Sequence, residues 1–474
     1  MNVLLFIMDA CQAQALESSS ACITPHFNRL AEQGIRFNRA YCPSPTCSPS
    51  RASLMTGLLP HNHGVLEVEH GRDDDQCVLR ADKPHWAQHL SAAGYSTGYF
   101  GKWHIERSHQ VENFGWQHHY IKGASHHAGL GAGIEPGAQN VELDPELTRY
   151  HRGPEGYRDI LHYGVTDVSP EIRYPKFTVD KTIEFIGKQS EAPWCAVASF
   201  SEPNEALVVS RETFQRYDVE TIPLPDNLRD DYENRPNLYQ RQKQIAADVT
   251  DEEWRMARAC YYGRITELDD QFGRLYDTLR DSGQLDDTLI IVTADHGRYV
   301  GAHGFDAHNF GPFEEIYRIP MIVSGPGVSA GRVSESLVGF HDIGPTILEH
   351  CGTKGIDVPD SESFAPVLKD PDKESRAFLY AESHGTRFSL TQRILWEGDW
   401  KYVFNGFDFD ELYHLGDDPL EMANLIDLPE HGDQASAMMA KIWKVIQETG
   451  DRTLNETHYF SMRMGRVGPG ASEG

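Results

Sequence analysis

The sequence predicts a two-part α/β protein: a large, doubly wound, mostly parallel sheet domain followed by a smaller C-terminal domain of antiparallel sheet plus one helix. Three observations carry this. Short apolar runs, VLLFIM (3–8), STGYF (96–100), WCAVASF (194–200), LIIVT (289–293) and MIVS (321–324), alternate with helical patterns. Strands apolar on both faces belong to a sheet covered on both sides. The 474 residues exceed the size at which one hydrophobic core stops growing. From about residue 370 the texture changes to AFLYAE, RILWEGDWKYVF and DELYHL, followed by a helical stretch from about Asp433 to Glu448. The first domain is therefore placed at 1–370, the second at 371–450, and a tail at 451–474.

Taken in order, the opening MNVLLFIMDACQ has no basic leader and its apolar run stops at Asp9. It reads as a buried strand rather than a signal peptide, and a cytoplasmic location is expected. Thr24 to Gly34 reads as a helix with a Thr cap, Pro25 in the first turn and Gly past the end; Pro84 to Gly94 repeats the scheme. Tyr261, Ile265, Leu268, Phe272, Leu275 and Leu279 recur at spacings of four and three within a helix over 257–281. That stripe is a core face. The helix runs through SGQLDD into LIIVTADHG, which leaves Asp295 and His296 just past a strand's carboxyl end, where open α/β sheets bind ligands. Two stretches, 105–165 and 205–245, read as long loops that wall or cover a site. The tail HYFSMRMGRVGPGASEG has no periodicity and is either disordered or draped over a neighbour.

Composition narrows the partners. With 39% apolar and 10% aromatic residues the chain builds an ample core, and no apolar run approaches the roughly 18–20 residues that cross a bilayer, so a soluble protein is expected. A formal charge of −28 excludes nucleic acid and anionic membrane as partners, because both are held by clustered Lys and Arg. A small anionic substrate remains compatible if a few cations are focused in one pocket; homo-oligomerisation is left open. Eight cysteines, at 11, 22, 42, 47, 77, 195, 260 and 351, lack CxxC or zinc-finger spacing and read as small buried hydrophobes. Cys47 stands apart.

Asp9 follows the first strand and Asp295-His296 follows the strand at 289. If the two strands are neighbours, the three side chains converge as a mixed oxygen and nitrogen site for a divalent ion; otherwise they are ordinary turn residues. In YCPSPTCSPSRASLMTG (41–57), Pro49 starts a helix and puts Cys47 at its N-terminus, where free N–H groups favour negative charge. Arg51 adds a fixed cation one turn on. That setting makes Cys47 the best candidate for a reactive thiol, against the alternative of a buried structural one, whereas Cys42 lacks it.

The stretch Cys47-Ser48-Pro49-Ser50-Arg51 with Leu54-Met55-Thr56-Gly57 resembles the signature of type I, formylglycine-dependent sulfatases of the alkaline phosphatase superfamily. Gly101-Lys102-Trp103-His104, ADHGRYVGAHG (294–304), FEEIYRIPMIV (313–323) and DELYHLGDDPLEMANL (410–425) are similar to further landmarks of that family, in the family's order. The resemblance implies hydrolysis of a sulfate monoester, a sulfated sugar or small alcohol, after a formylglycine-generating enzyme has oxidised Cys47 to an aldehyde. The hydrated aldehyde attacks sulfur, the alcohol leaves, and loss of a proton from the second hydroxyl expels sulfate and restores the aldehyde. By the same resemblance Asp9, Cys47, Asp295 and His296 hold the metal, calcium or manganese. Arg51 braces the diol, Lys102 meets the sulfate oxygens, and His104 takes the proton.

The chain departs from the pattern in ways that bear on substrate. Asp9 is followed by Ala10 instead of a second acid, and His296 stands where many sulfatases carry Asn. A lone Asp with Asp-His looks more like the phosphonate monoester and phosphodiester hydrolase branch, and the imidazole admits manganese beside calcium. Asn204 in SFSEPNEAL replaces the family's leaving-group histidine, so it hydrogen-bonds or reads substrate but donates no proton as an acid. The lysine expected after the DHG element is missing, and His308 is the candidate for its cation or proton. His61, His63, His118, His119, His126 and His127 read as surface or structural groups. Two weaker alternatives are a metal-binding relative in which Cys47 is never converted, and a cysteine hydrolase pairing Cys47 with His104, which leaves Asp9, Asp295 and His296 without a role.

Overall fold

The computed structural model describes residues 1–68, 82–123, 141–153, 155–189, 192–204, 206–386, 390–455 and 463–473. Its first strands are β1 (Asn2–Asp9), β2 (Ile35–Phe37), β3 (Ala40–Tyr41), β4 (Ser96–Gly101), β5 (His118–Ile121), β6 (Arg149–His151), β7 (Ile160–Thr166), β8 (Trp194–Pro203) and β9 (Leu207–Ser210). They are followed by β10 (Thr288–Ala294), β11 (Met321–Ser324), β12 (Arg332–Ser334), β13 (Val338–Gly339), β14 (Phe378–Ser383), β15 (Gln392–Glu397), β16 (Trp400–Asn405) and β17 (Glu411–His414).

Eight of these form the central sheet in the order β12-β2-β11-β10-β1-β8-β4-β5. The five from β10 to β5 are all parallel, while β11 runs antiparallel to both β10 and β2. All five apolar runs read from sequence are strands of this sheet. Every residue of β1 and β10 is buried, as strands covered by helices on both faces require. On one face the long helix Asp251–Asp281 packs with Tyr174–Gly187 and Pro25–Glu32; helices Cys47–Thr56, Trp86–Ala92 and Ile343–His350 pack together as a second group.

The helix expected at 257–281 begins earlier, at Asp251, and its stripe residues are all buried. A capping box fixes the start: Thr250 Oγ1 accepts from Glu253 N at 3.2 Å and Glu253 accepts from Thr250 N at 2.8 Å. At the Pro25–Glu32 helix Thr24 is the N-cap residue, but its side chain makes no capping bond. Asp269 of the long helix accepts from His26 N and Phe27 N at 3.0 and 2.7 Å instead, so the cap is tertiary. The Pro84–Gly94 helix is shorter than its signals suggested, spanning Trp86–Ala92.

The two expected loops hold more structure than expected. Within 105–165 lie β5, β6 and most of β7, and within 205–245 lie β9 and the helices Arg211–Phe214 and Asn237–Lys243. β6, β7 and β9 make a small second sheet on the long helix. These strands are short, β6 and β7 each carry a histidine, and the helix supplies burial for β7 and β9. His126 and His127 lie outside the described residues.

Strands β14 to β17 form a separate antiparallel meander. The helix Gly432–Thr449 covers one face, with Leu395, Tyr402, Leu412, Met438, Ile442 and Ile446 between them. Ile394, Trp396, Val403 and Tyr413 join the core of the large sheet instead, so the small sheet is buried on both sides. The described part of the tail turns back on this unit: Trp443 Nε1 donates to Val467 O at 2.8 Å and Arg466 to Ile426 O at 2.5 Å. No helix among the described residues is long and apolar enough to cross a membrane. The seven described cysteines form no disulfide, and all but Cys351 are buried.

Candidate active site

Sheet register brings the acidic groups together. Met8 of β1 pairs with Ala294 of β10, so Asp9 and Asp295 leave adjacent parallel strands side by side at the carboxyl edge. Gly101 of β4 pairs with Ser199 of β8, which sets Lys102 beside Phe200 at the same edge. Over this edge the helix Cys47–Thr56 begins, with Cys47 its first residue and Thr46 in extended conformation before it. Cys47 Sγ lies 3.1 Å from His296 Nε2 and 3.8 Å from Asp9 Oδ1. Asp9, Asp295 and His296 are completely buried.

Arg51, one turn into that helix, is the rigid centre. Its Nε donates to Asp295 Oδ2 at 2.6 Å, Nη1 to Ser199 Oγ at 2.7 Å and to Lys102 O at 3.2 Å, and Nη2 to Phe200 O at 3.2 Å. Asp9 Oδ2 lies 3.6 Å from Nη2. The guanidinium thus ties both carboxylates to the ends of β4 and β8. In this structure, which carries the Cys47 thiol, the hydrogen bonds and ion pairs of Arg51 go to Asp295, Asp9 and the strand ends. Asp295 Oδ1 in turn accepts from Ala10 N at 3.2 Å and His296 N at 2.9 Å.

Burial works against charge on Asp295, yet Arg51 holds its carboxyl below the usual range. Burial likewise opposes the charge on Lys102, and Asp9, to which its Nζ is bonded, raises it. For His296, burial is outweighed by Asp295 and then Cys47, and the imidazole is pushed up to about 10. A field that strongly favours a cation on His296 Nε2 equally favours a metal ion competing for that lone pair.

The donor atoms of Asp9, Cys47, Asp295 and His296 all lie within 4.8 Å of one another. Two carboxylates and an imidazole suit a divalent ion, and the Cys47 sulfur marks the carbon on which a formylglycine would carry its oxygens.

Comparison with known proteins identifies the group. The family described as sulfatase matches residues 1–353. The chain belongs to the sulfatase family. Its C-terminal part, residues 301–448, also matches the C-terminal region of N-sulphoglucosamine sulphohydrolase. A choline-sulfatase of Rhizobium meliloti is 28% identical over 470 residues, covering 90% of this chain and 83% of its own. A solved structure bound to its substrate D-glucosamine-2-N,6-O-disulfate superposes with TM-score 0.77 at 22% identity, over 96% of this chain and 99% of that one. The phosphonate monoester hydrolase of Agrobacterium radiobacter has the same fold, with TM-score 0.75 at 22% identity over 94% and 96%. Membership implies a metal ion and a formylglycine nucleophile, which the donor set and Cys47 fit.

In this sulfatase the remaining sequence candidates divide. His308 stacks on His296, with ring centroids 4.7 Å apart and planes 21° from parallel, and its ring nitrogen groups with Cys47 and His296. Asn204 Nδ2 approaches Cys47 Sγ at 4.0 Å. His104, two residues past Lys102, is half-buried in a left-handed turn with φ 55°. His61 and His63 belong to a four-residue helix packed against the Cys47–Thr56 helix. His61 is ion-paired to Glu382 at 3.1 Å, and Ser53 Oγ lies 3.0 Å from His63 Nε2. His119 lies buried 3.3 Å from Glu112, and His118 is half-buried at the start of β5.

Sequence reasoning missed the groups that aim the site. Ser50 Oγ donates to Asp295 O at 2.6 Å and Ser199 Oγ to Lys102 O at 2.8 Å. Ala10 turns left-handed, φ 58°, to present its N–H to Asp295. Thr386, after β14, reaches Thr46 at 3.2 Å, which brings the small sheet to the cap of the Cys47–Thr56 helix. Only Ser50 had a signal, its place in the signature.

Proposed function

We propose that this sulfatase hydrolyses the sulfate monoester of a small alcohol or sugar, with Cys47 acting after oxidation to formylglycine by a maturation enzyme. The observation that carries the reading is the position of Cys47: first in its helix, 3.1 Å from His296, and facing Asp9. Once hydrated, the aldehyde offers two hydroxyls on one carbon, one to attack and one to release sulfate. Asp9, Asp295, His296 and residue 47 would hold a divalent ion, calcium or manganese, which would supply Lewis-acid charge there.

The chain's own groups divide the rest of the work. Arg51 holds both carboxylates in place, so neither reorganises during reaction. Lys102 carries a permanent charge at the site's edge, its side chain 12% exposed, and neutralises sulfate oxygens as charge develops. His104 takes the proton released at collapse, and His308, stacked on His296, supplies the cation or proton that a lysine gives in other family members. Asn204 donates a hydrogen bond to the ester oxygen and no proton. Relatives named for choline sulfate and for a sulfated glucosamine support a small polar alcohol as leaving group. Hydrolysis of a phosphonate monoester or phosphodiester is the second reading, favoured by His296 with Ala10 and by Asn204 at the nucleophile.

Mass spectrometry of protein made alongside a converting enzyme tests the nucleophile. The peptide containing residue 47 is expected to be about 18 Da lighter than its thiol form; an unconverted thiol in active protein contradicts the reading.

A further inference from the structure

A second cluster, outside the catalytic set, joins three elements. His151 ends β6, His162 lies in β7, and Asp306 follows the Ala302–Gly304 turn. Asp306 Oδ2 is 3.2 Å from His151 Nε2 and 3.1 Å from His162 Nδ1. The donor atoms of all three lie within 4.8 Å of one another, and the two imidazole centroids are 4.3 Å apart.

Hydrogen bonding accounts for only part of this arrangement. His151 Nε2 is aligned for a hydrogen bond to Asp306. His162 is fully buried and its Nδ1 also lies against Asp306 Oδ2, while its Nε2 has no hydrogen-bond partner among the described residues. Two imidazole nitrogens converging on one carboxylate oxygen present the kind of donor set a metal ion takes. The spacing suits one. Metal bonds of about 2.0–2.2 Å at tetrahedral angles separate neighbouring donors by about 3.4 Å, close to the two oxygen-to-nitrogen distances observed. Arg298 Nη2 holds the other carboxylate oxygen, Oδ1, at 3.2 Å, as outer partners orient metal-bound carboxylates. A cleft lined by Leu161, Phe305 and Phe310 adjoins His151 and Asp306 and gives an ion a route in.

We propose that His151, His162 and Asp306 bind a transition-metal ion of the zinc class, distinct from the catalytic ion, with water at the fourth position. Two imidazoles with one carboxylate select such a metal over calcium or magnesium. The ion ties β6 and β7 to the loop that carries His308 two residues on, so it positions that loop and takes no part in bond cleavage.

The full-length protein, stripped with a chelator, is dialysed against Zn2+ alone and its bound metal counted, wild type beside His162→Gln. Wild type is expected to retain one equivalent more than the variant, and equal stoichiometries overturn the proposal. If His162→Gln does not fold, an anomalous difference map from wild-type crystals grown with equimolar Zn2+ decides. A peak bonded to His151, His162 and Asp306 supports the site, and a map without one there overturns it. Neither readout involves ester hydrolysis, so each stands whatever the substrate proves to be.

Discussion

Arg51 and Cys47 carry the account at the scale of single residues. Arg51 is buried against two carboxylates and three oxygens of neighbouring strands. Arg51→Met leaves Asp295 without its paired guanidinium and Asp9 with Lys102 alone, and urea denaturation of the metal-free variant is expected to show a loss of about 3–5 kcal/mol. Arg51→Lys keeps a charge but not the planar fork, so its activity should also fall. Cys47→Ser leaves the helix and its neighbours in place while removing the convertible thiol. Its thermal unfolding is expected to match wild type, with kcat lower by at least about 1,000-fold. Much of this was legible: an Asp after each of two buried strands, and a cysteine before Pro49 and Arg51. The supporting groups were not, because the hydroxyl of Ser199 at a strand end and the turned backbone of Ala10 leave no pattern in a one-dimensional string.

Among the elements, the Asp251–Asp281 helix anchors one face of the sheet. Phe272 is fully buried, 5.5 Å from the Phe6 ring and 5.2 Å from that of Phe27. Phe272→Ala should cost about 3–5 kcal/mol by denaturant titration and leave kcat/KM of the folded protein unchanged. The short Pro60–His63 helix has opposed titrations. Burial opposes the charge on His61, but Glu382 outweighs it and raises His61 to about 9; burial pushes His63 down to about 3. A raised histidine contributes stability that is full below its unfolded pKa of about 6.5 and lost as pH rises toward 9. A depressed one contributes stability that is full above about 6.5 and lost as pH falls toward 3. Comparing denaturation midpoints of wild type and His61→Gln across pH, the stability lost in the variant should be largest below about 6.5 and shrink as pH rises toward 9. The periodic long helix was readable over most of its length, whereas β6, β7 and β9 were not. They are only three to seven residues long, and their burial comes from pairing with one another and, for β7 and β9, from packing on that helix.

For the whole molecule, the doubly wound sheet and the separate small meander followed from apolar runs and a change of texture. Their mutual burial did not. The join depends on tertiary contacts such as Thr386 against Thr46 and Glu382 against His61, hundreds of residues apart in sequence. The architecture makes Cys47, two carboxylates and two cations converge from β1, β4, β10 and one helix; on the proposed mechanism, stripping metal with a chelator should abolish turnover, and Ca2+ or Mn2+ should restore it. The central claim is attack on sulfur by residue 47, and steady-state kinetics of the matured enzyme on matched aryl sulfate, aryl phosphonate and phosphodiester tests it most directly. The account predicts that kcat/KM for the sulfate exceeds both phosphorus esters by at least about tenfold and that Cys47→Ser abolishes it. A preference for phosphorus, or sulfate release undiminished in Cys47→Ser, would contradict it.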